Sequence, residues 1–159
     1  MNQDGTPDVG HALVDQMRLF SRRITVLAAA GCTTCCGEQI SPLQGQILFE
    51  IQRQATPSMH QVAAELGMDI TTFSRQIKNL EARGLLTRQR SPADRRVSRL
   101  SLTRSGNELM ERISRHMANG IARPLAALTP FEQDTVVRSL ALLNQALNVA
   151  RNHPHRPLE

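Results

Sequence analysis

The chain has 159 residues, which is enough for one compact domain and too few for two of ordinary size. It contains no Trp or Tyr, so the 40% of apolar residues predict an aliphatic core and a mainly helical fold. No run approaches the ~18 apolar residues of a membrane span, and the start MNQDGTPD lacks the basic and then apolar layout of a signal peptide, so we expect a cytoplasmic protein.

The positive charge is concentrated in one segment. The formal net charge is +5, and the basic residues are 18 Arg and one Lys, Lys78. Between Thr71 and Arg104, nine basic and two acidic residues give +7, which leaves −2 for the rest of the chain. A polyanion is the expected partner of that segment.

Two helices are predicted in the first third of the chain. The first runs from about Asp8 to about Ala30 and ends at Gly31. Ser41 to Gln44 combines a capping serine, a proline at the first helical position and a glutamine three residues after the cap, so a second helix is expected through roughly Gln54. The apolar stripe of the first helix is Leu13, Met17, Phe20, Ile24 and Leu27.

A helix-turn-helix is predicted next. The cap pattern recurs from Ser58 to Gln61 and opens a short helix that Gly67 terminates. A further helix begins near Ile70 and ends before Gly84, and a tight glycine turn between two helices is typical of this motif. The residues expected on its buried face are Ile70, Phe73, Ile77 and Leu80.

A two-stranded wing and two more helices complete the chain. Strands are expected at 85–89 and 97–102, separated by a turn around Pro92. A long helix follows Thr103 and is ended or kinked by Pro124, and a third capping box, from Thr129 to Glu132, opens the last helix. The apolar side of the last helix is Val136, Leu140, Leu143, Leu147 and Ala150.

The fold class is therefore mainly α, a winged helix-turn-helix at about 41–103 flanked by dimerisation helices at about 8–40 and 104–151, with a tail at 152–159. The end helices carry apolar stripes although the middle of the chain is self-contained. We expect two chains to pack through them, because a two-fold dimer presents two helices to a palindromic site about one helical turn apart. Packing of both stripes onto the winged unit of a monomer is the alternative.

The segment from Thr56 to Gly106 resembles the DNA-binding lobe of the MarR family of transcriptional regulators. The resemblance is strongest in three runs: Leu80-Glu81-Ala82-Arg83-Gly84-Leu85-Leu86, Asp94-Arg95-Arg96 and Leu100-Ser101-Leu102-Thr103. It implies a dimeric regulator that binds double-stranded DNA, needs no cofactor and is not an enzyme. Repression through occupancy of a promoter palindrome is the expected mechanism.

The resemblance also implies roles for single residues. Five side chains of the second motif helix would face the major groove: Thr71, Thr72, Ser74, Arg75 and Lys78. Arg96 at the wing tip would enter the minor groove, where negative potential is concentrated, and Asp94 would orient it, unless Asp94 only stabilises the turn. Arg88, Arg90 and Arg95 are the other wing residues expected to bind DNA.

Cys32, Cys35 and Cys36 form a CxxCC cluster between the first two helices. Three thiolates suit a soft ion such as copper(I) or a metalloid such as arsenite, and this is the favoured signal for release from DNA. The alternatives are oxidant sensing through a disulfide, and cysteines that only pack while a small organic ligand is sensed.

Two other classes of protein are weighed against a DNA-binding regulator. A thiol-disulfide oxidoreductase would use Cys32 and Cys35, but its motif normally opens a helix after a strand, and no strand is expected here. A winged helix that binds protein or RNA would tolerate loss of Arg96 and show weak dependence on salt.

Overall fold

The computed structural model describes residues 8–34, 40–90, 94 and 96–152, and for 28–34 and 150–152 it describes the backbone only. Six helices and one two-stranded antiparallel sheet are found in these ranges. In chain order they are α1 (Val9–Thr34), α2 (Pro42–Gln54), α3 (Met59–Glu65), α4 (Ile70–Ala82), β1 (Leu86–Arg90), β2 (Ser98–Leu102), α5 (Arg104–Ala126) and α6 (Pro130–Asn152). The mainly helical winged fold expected from the sequence is confirmed.

Side-chain caps fix where the helices start. Ser41 and Ser58 each accept a hydrogen bond from the backbone of the glutamine three residues later, and each glutamine side chain bonds back to the serine N–H. Thr129 and Glu132 make the same reciprocal pair before α6. Each box satisfies N–H groups that the first helical turn leaves unpaired, as the sequence predicted.

Several predicted element boundaries differ from those in the structure. α1 does not end at Gly31 but continues to Thr34, since a glycine inside a helix costs only about 1 kcal/mol. Pro124 was expected to end or kink α5; it does not end the helix, which runs on to Ala126. Proline lacks an N–H but its φ is helical, so a helix can continue for less than one turn beyond it. Each wing strand begins one residue later than expected, at Leu86 and Ser98.

The buried core lies between residues 40 and 113, in the winged unit and the first half of α5. α4 contributes Phe73, Ile77 and Leu80, all fully buried. Ile70, predicted for the same face, is 40% exposed because it occupies the first position of the helix, beyond the edge of the core. The described side chains of α1 and α6 contribute nothing to this core.

The wing is tied to the helices at both ends. β1 and β2 pair from Leu86–Leu102 to Arg90–Ser98. At the base, the Leu85 carbonyl accepts the Thr103 N–H at 3.1 Å. Beside β2, the Leu100 N–H donates to the Pro57 carbonyl at 2.9 Å, so the strand also holds the segment before α3.

The chain divides into two compact units, Met1–Ala118 and Asn119–Glu159. Unit 1 contains the winged fold described above. In unit 2, the Gln133 side chain donates 3.0 Å hydrogen bonds to the carbonyls of Leu125 and Leu128, which fixes the turn that precedes α6. No helix among the described residues combines the length and apolar character required to cross a membrane.

Candidate nucleic-acid interface

The first turn of α4 is organised by Asp69. Its carboxylate accepts the Thr72 N–H at 2.9 Å and so caps the helix. Hydrogen bonds from the Thr72 hydroxyl and N–H hold the pKa of Asp69 below its ordinary value of 3.8. Because the Thr72 hydroxyl donates to the cap, it has only lone pairs to offer another partner. This cap was missed in the sequence, although an Asp directly before Ile70 is a typical signal for one.

Four of the five α4 side chains expected to face a groove are exposed: Thr71, Thr72, Arg75 and Lys78. Ser74, the fifth, is half-buried. Helical spacing places Thr71, Arg75 and Lys78 on one side, opposite the buried face of Phe73, Ile77 and Leu80. α4 therefore presents two cations and a hydroxyl on one surface.

Side-chain hydrogen bonds join α4 to α2 and join the turn after α4 to Thr103. The Gln44 side chain on α2 donates to Gln76 at 3.2 Å and to Asn79 at 3.1 Å. At the other end, Gly84 has a φ of +69°, a conformation that favours glycine, and its carbonyl accepts the Thr103 hydroxyl at 2.7 Å.

At the wing, Arg90, Asp94 and Arg96 are exposed, while Arg95 lies outside the described residues. An Asp94 carboxylate oxygen accepts the backbone N–H of Arg96 at 2.9 Å, and the Asp94 carbonyl accepts the Val97 N–H at 3.0 Å. Asp94 thus sets the backbone turn from which the Arg96 side chain departs.

Two wing arginines bond within the chain. The Arg88 guanidinium lies 3.9 Å from the Glu81 carboxylate, which connects β1 to the last turn of α4. Arg99, which the sequence did not single out, donates to the Thr56 carbonyl at 3.0 Å. One contact joins the wing to α4 and the other joins it to the segment between α2 and α3, and no local sequence pattern signals either of them.

The CxxCC cluster falls mostly outside the described residues. Cys32 lies in the last turns of α1, where only the backbone is described, and Cys35 and Cys36 fall in the gap between residues 34 and 40. Among the described side chains, no group of three His, Cys, Asp or Glu residues could hold a metal ion. That finding does not bear on the cysteines.

A cavity of about 360 Å³ lies between α1, α2 and α5, and sequence reasoning missed it. None of the described side chains that line it is charged, and its polar groups are those of Thr25, Gln46 and Ser114. Cavities arise from how helices pack, so no local sequence pattern could have predicted this one. Its other lining residues are Ile24, Pro42, Gly45, Phe49, Met110, Ile113 and Met117.

The part of the chain that contains the candidate interface is similar to known proteins. The MarR family model matches residues 38–97, which include α2, α3, α4 and β1. The HTH-type transcriptional regulator YkoM of Bacillus subtilis is 26% identical over 120 residues, covering 76% of this chain and 78% of YkoM.

The chain is similar to the MarR family over residues 38–97. Two solved structures share its fold. RV1404 of Mycobacterium tuberculosis superposes with a TM-score of 0.76 at 21% identity, covering 90% of this chain and 97% of RV1404. FabT of Streptococcus pneumoniae, solved in complex with DNA, gives 0.74 at 22% identity, covering 87% and 96%.

The matched family model and the relatives found are those of transcriptional regulators and not of enzymes. The expected family resemblance is confirmed, and the thiol-disulfide oxidoreductase alternative is set aside.

Proposed function

We propose that the chain represses transcription by binding a palindromic operator in double-stranded DNA. The observation that carries this proposal is the exposed side of α4, with Thr71, Arg75 and Lys78, beside a wing that exposes Arg90 and Arg96. Hydroxyls and cations of this kind bind phosphates and base edges in the major groove. The FabT complex shows that a protein of this fold binds DNA.

Each interface residue has a proposed role. Thr71, Arg75 and Lys78 contact the major groove, with Ser74 and Thr72 at the margins of the contact. Arg96 enters the minor groove from the turn that Asp94 fixes, and Arg90 and Arg95 contact phosphates. Arg88 acts mainly by holding β1 against Glu81, because its guanidinium already has a carboxylate neighbour.

The proposed functional unit is a homodimer formed by the end helices. Large apolar residues of both helices are exposed, among them Phe20 at 49% and Leu140 at 39%. Monomers seldom expose long apolar stripes, and a second copy of the chain would cover them. A two-fold pair would place two α4 helices on neighbouring turns of one face of the duplex.

The cysteine cluster is the first candidate for the signal. A soft ion or metalloid such as arsenite bound by Cys32, Cys35 and Cys36 would join the end of α1 to the segment before α2. Oxidation of one thiolate and disulfide formation with its neighbour would make a similar connection. Either event would change the spacing of the two α4 helices and release the operator.

A small organic ligand is the second candidate, and the cavity favours it. A volume of about 360 Å³ lies within the range of small-molecule sites. A lining with three uncharged polar side chains suits an apolar molecule that carries one or two hydrogen-bonding groups. In this case the cysteines would only pack.

The test is a titration of the reduced protein against the DNA upstream of its own gene at fixed salt. Arg75→Ala is expected to weaken binding by about 1–3 kcal/mol, whereas Arg138→Ala on α6, 77% exposed and paired with Asp134, should leave it unchanged. Failure of the wild-type protein to prefer this DNA over a scrambled duplex would contradict the proposal.

The same titration with arsenite, copper(I) or peroxide separates the signals. Release by one agent that the Cys32→Ser variant no longer shows would identify the cysteines as the sensor and the agent's class as the signal. If none of the three agents changes DNA binding, the cysteines only pack and the cavity is the candidate ligand site.

A further inference from the structure

The first turn of α2 lies between the cavity and α4. Pro42, Gly45 and Gln46 line the cavity from this turn. At roughly 100° per residue, Gln44 projects from the opposite side of the helix, where its side chain reaches α4. One turn of helix therefore contacts the space in which a ligand would sit and the helix that would contact DNA.

Every hydrogen-bonding atom of the Gln44 amide is engaged. Its oxygen accepts the Ser41 N–H at 3.1 Å, and its nitrogen donates to Gln76 and Asn79. A primary amide has two N–H donors, so both are used. The capping box fixes the side chain at its α2 end, and the two α4 partners fix its other end.

The α4 partners of Gln44 are neighbours of the proposed DNA contacts. Gln76 follows Arg75 and Asn79 follows Lys78 along the chain. A shift of the Gln44 amide would move the middle of α4 and both cations with it. The bonds join neutral groups, so ionic strength has little effect on them.

We propose that Gln44 is the positioning residue that couples occupancy of the cavity to the placement of α4 on DNA. The proposal rests on the proposed function and names the physical connection between the cavity and α4. A molecule in the cavity pushes on Pro42, Gly45 and Gln46, displaces the first turn of α2, and changes the population of α4 positions through Gln44.

The chain supplies a matched control for this residue. Gln61 forms the same capping box on α3, with its oxygen accepting the Ser58 N–H at 2.8 Å. In the part of the chain that is described, the Gln61 side chain makes no hydrogen bond to α4. Gln44→Met and Gln61→Met therefore each remove one capping box, but only Gln44→Met removes the connection to α4.

The experiment is a double-mutant cycle that needs no identified ligand. Ser114→Phe fills the cavity from α5, and Thr25→Phe fills it from α1 if the first variant does not fold; both parent side chains are exposed. Each filling variant is made in the wild-type, Gln44→Met and Gln61→Met proteins. Operator affinity and hydrogen exchange of the α4 amides are measured for every protein.

We expect filling to change operator affinity about fivefold or more in the wild-type and Gln61→Met proteins, and less than about twofold in Gln44→Met. Gln76→Met combined with Asn79→Ala leaves the α2 cap intact and should abolish the effect of filling as Gln44→Met does. The salt dependence of DNA binding should be the same with and without Gln44, because no phosphate contact is removed.

A filling effect that persists in full in Gln44→Met, or one that is absent from the wild-type protein, would overturn the coupling. The exchange measurement separates this result from failure of the proposed function, since it uses the protein without DNA. If no DNA binds but filling still changes α4 exchange only when Gln44 is present, the connection holds and the regulator proposal fails.

Discussion

Gly106 on α5 packs directly against the backbone of Leu85: a Cβ at Gly106 would lie 2.0 Å from the Leu85 carbonyl oxygen. The Gly106 N–H also donates to the Thr103 hydroxyl at 3.0 Å, and that hydroxyl donates to the Gly84 carbonyl. α5 therefore starts in contact with the turn between α4 and β1, and only glycine permits this approach.

Replacement of Gly106 is expected to destabilise the fold. Gly106→Ala should lower the free energy of unfolding by about 3 kcal/mol, because the added methyl overlaps backbone that cannot rotate away. Gly10→Ala is the control, since its Cβ would meet only the Asp8 side chain, at 3.1 Å. Urea denaturation of the three proteins checks this, and equal midpoints for wild type and Gly106→Ala would contradict the packing described.

The end of α2 holds two residues in a conformation that favours glycine. Ala55 has a φ of 48° and Thr56 a φ of 67°, which is unusual for a β-branched side chain. Thr56→Gly should raise the free energy of unfolding by about 1 kcal/mol, the relief of strain exceeding the added chain entropy of glycine. Thr87→Gly on β1 should lower it, and calorimetry that moves both variants in the same direction would refute the prediction.

Asp69 should make stability depend on pH in acid. Its pKa is lowered in the folded chain, so its contribution is complete above the unfolded value near 3.8 and is lost as the pH falls through the lower folded value. Asp69→Asn keeps a cap without the charge. The wild-type protein should be more stable than Asp69→Asn at neutral pH, and the difference should shrink below pH ~4. A difference that grows in acid would contradict this.

The apolar side of α6 is expected to form the dimer. Leu140→Glu places a charge in the stripe and should convert a dimer to a monomer, whereas Gln145→Glu, more than a quarter-turn around the helix, should not. Sedimentation velocity at micromolar concentration measures the change. A wild-type protein that is monomeric under these conditions would contradict the proposed dimer.

Much of the fold was predictable from local patterns in the sequence. Three helix starts were predictable, because a capping box depends on residues only three positions apart. The three pairs are Ser41 with Gln44, Ser58 with Gln61 and Thr129 with Glu132. Gly67 and Gly84 adopt φ values of +62° and +69° at the predicted helix ends. These signals sufficed to predict the helix-turn-helix, while the wing was predicted from two strand candidates separated by a turn around Pro92.

Features that depend on distant residues were not predictable in this way. The bonds from Gln44 to α4 and from Arg99 to Thr56 join residues more than 30 positions apart. The exposure of Ile70 depends on where the core ends, which residues distant in the sequence determine. Hydrophobic periodicity contains no information on any of these.

Binding of duplex DNA by α4 and the wing can be tested by a salt titration of the Arg96→Ala variant. Wild type and Arg138→Ala should lose affinity steeply and in parallel between 50 and 200 mM salt, by about tenfold or more. Arg96→Ala should bind about 5- to 150-fold more weakly, with a shallower salt dependence. Equal affinities and salt slopes for Arg96→Ala and the wild-type protein would show that the wing does not contact DNA through Arg96.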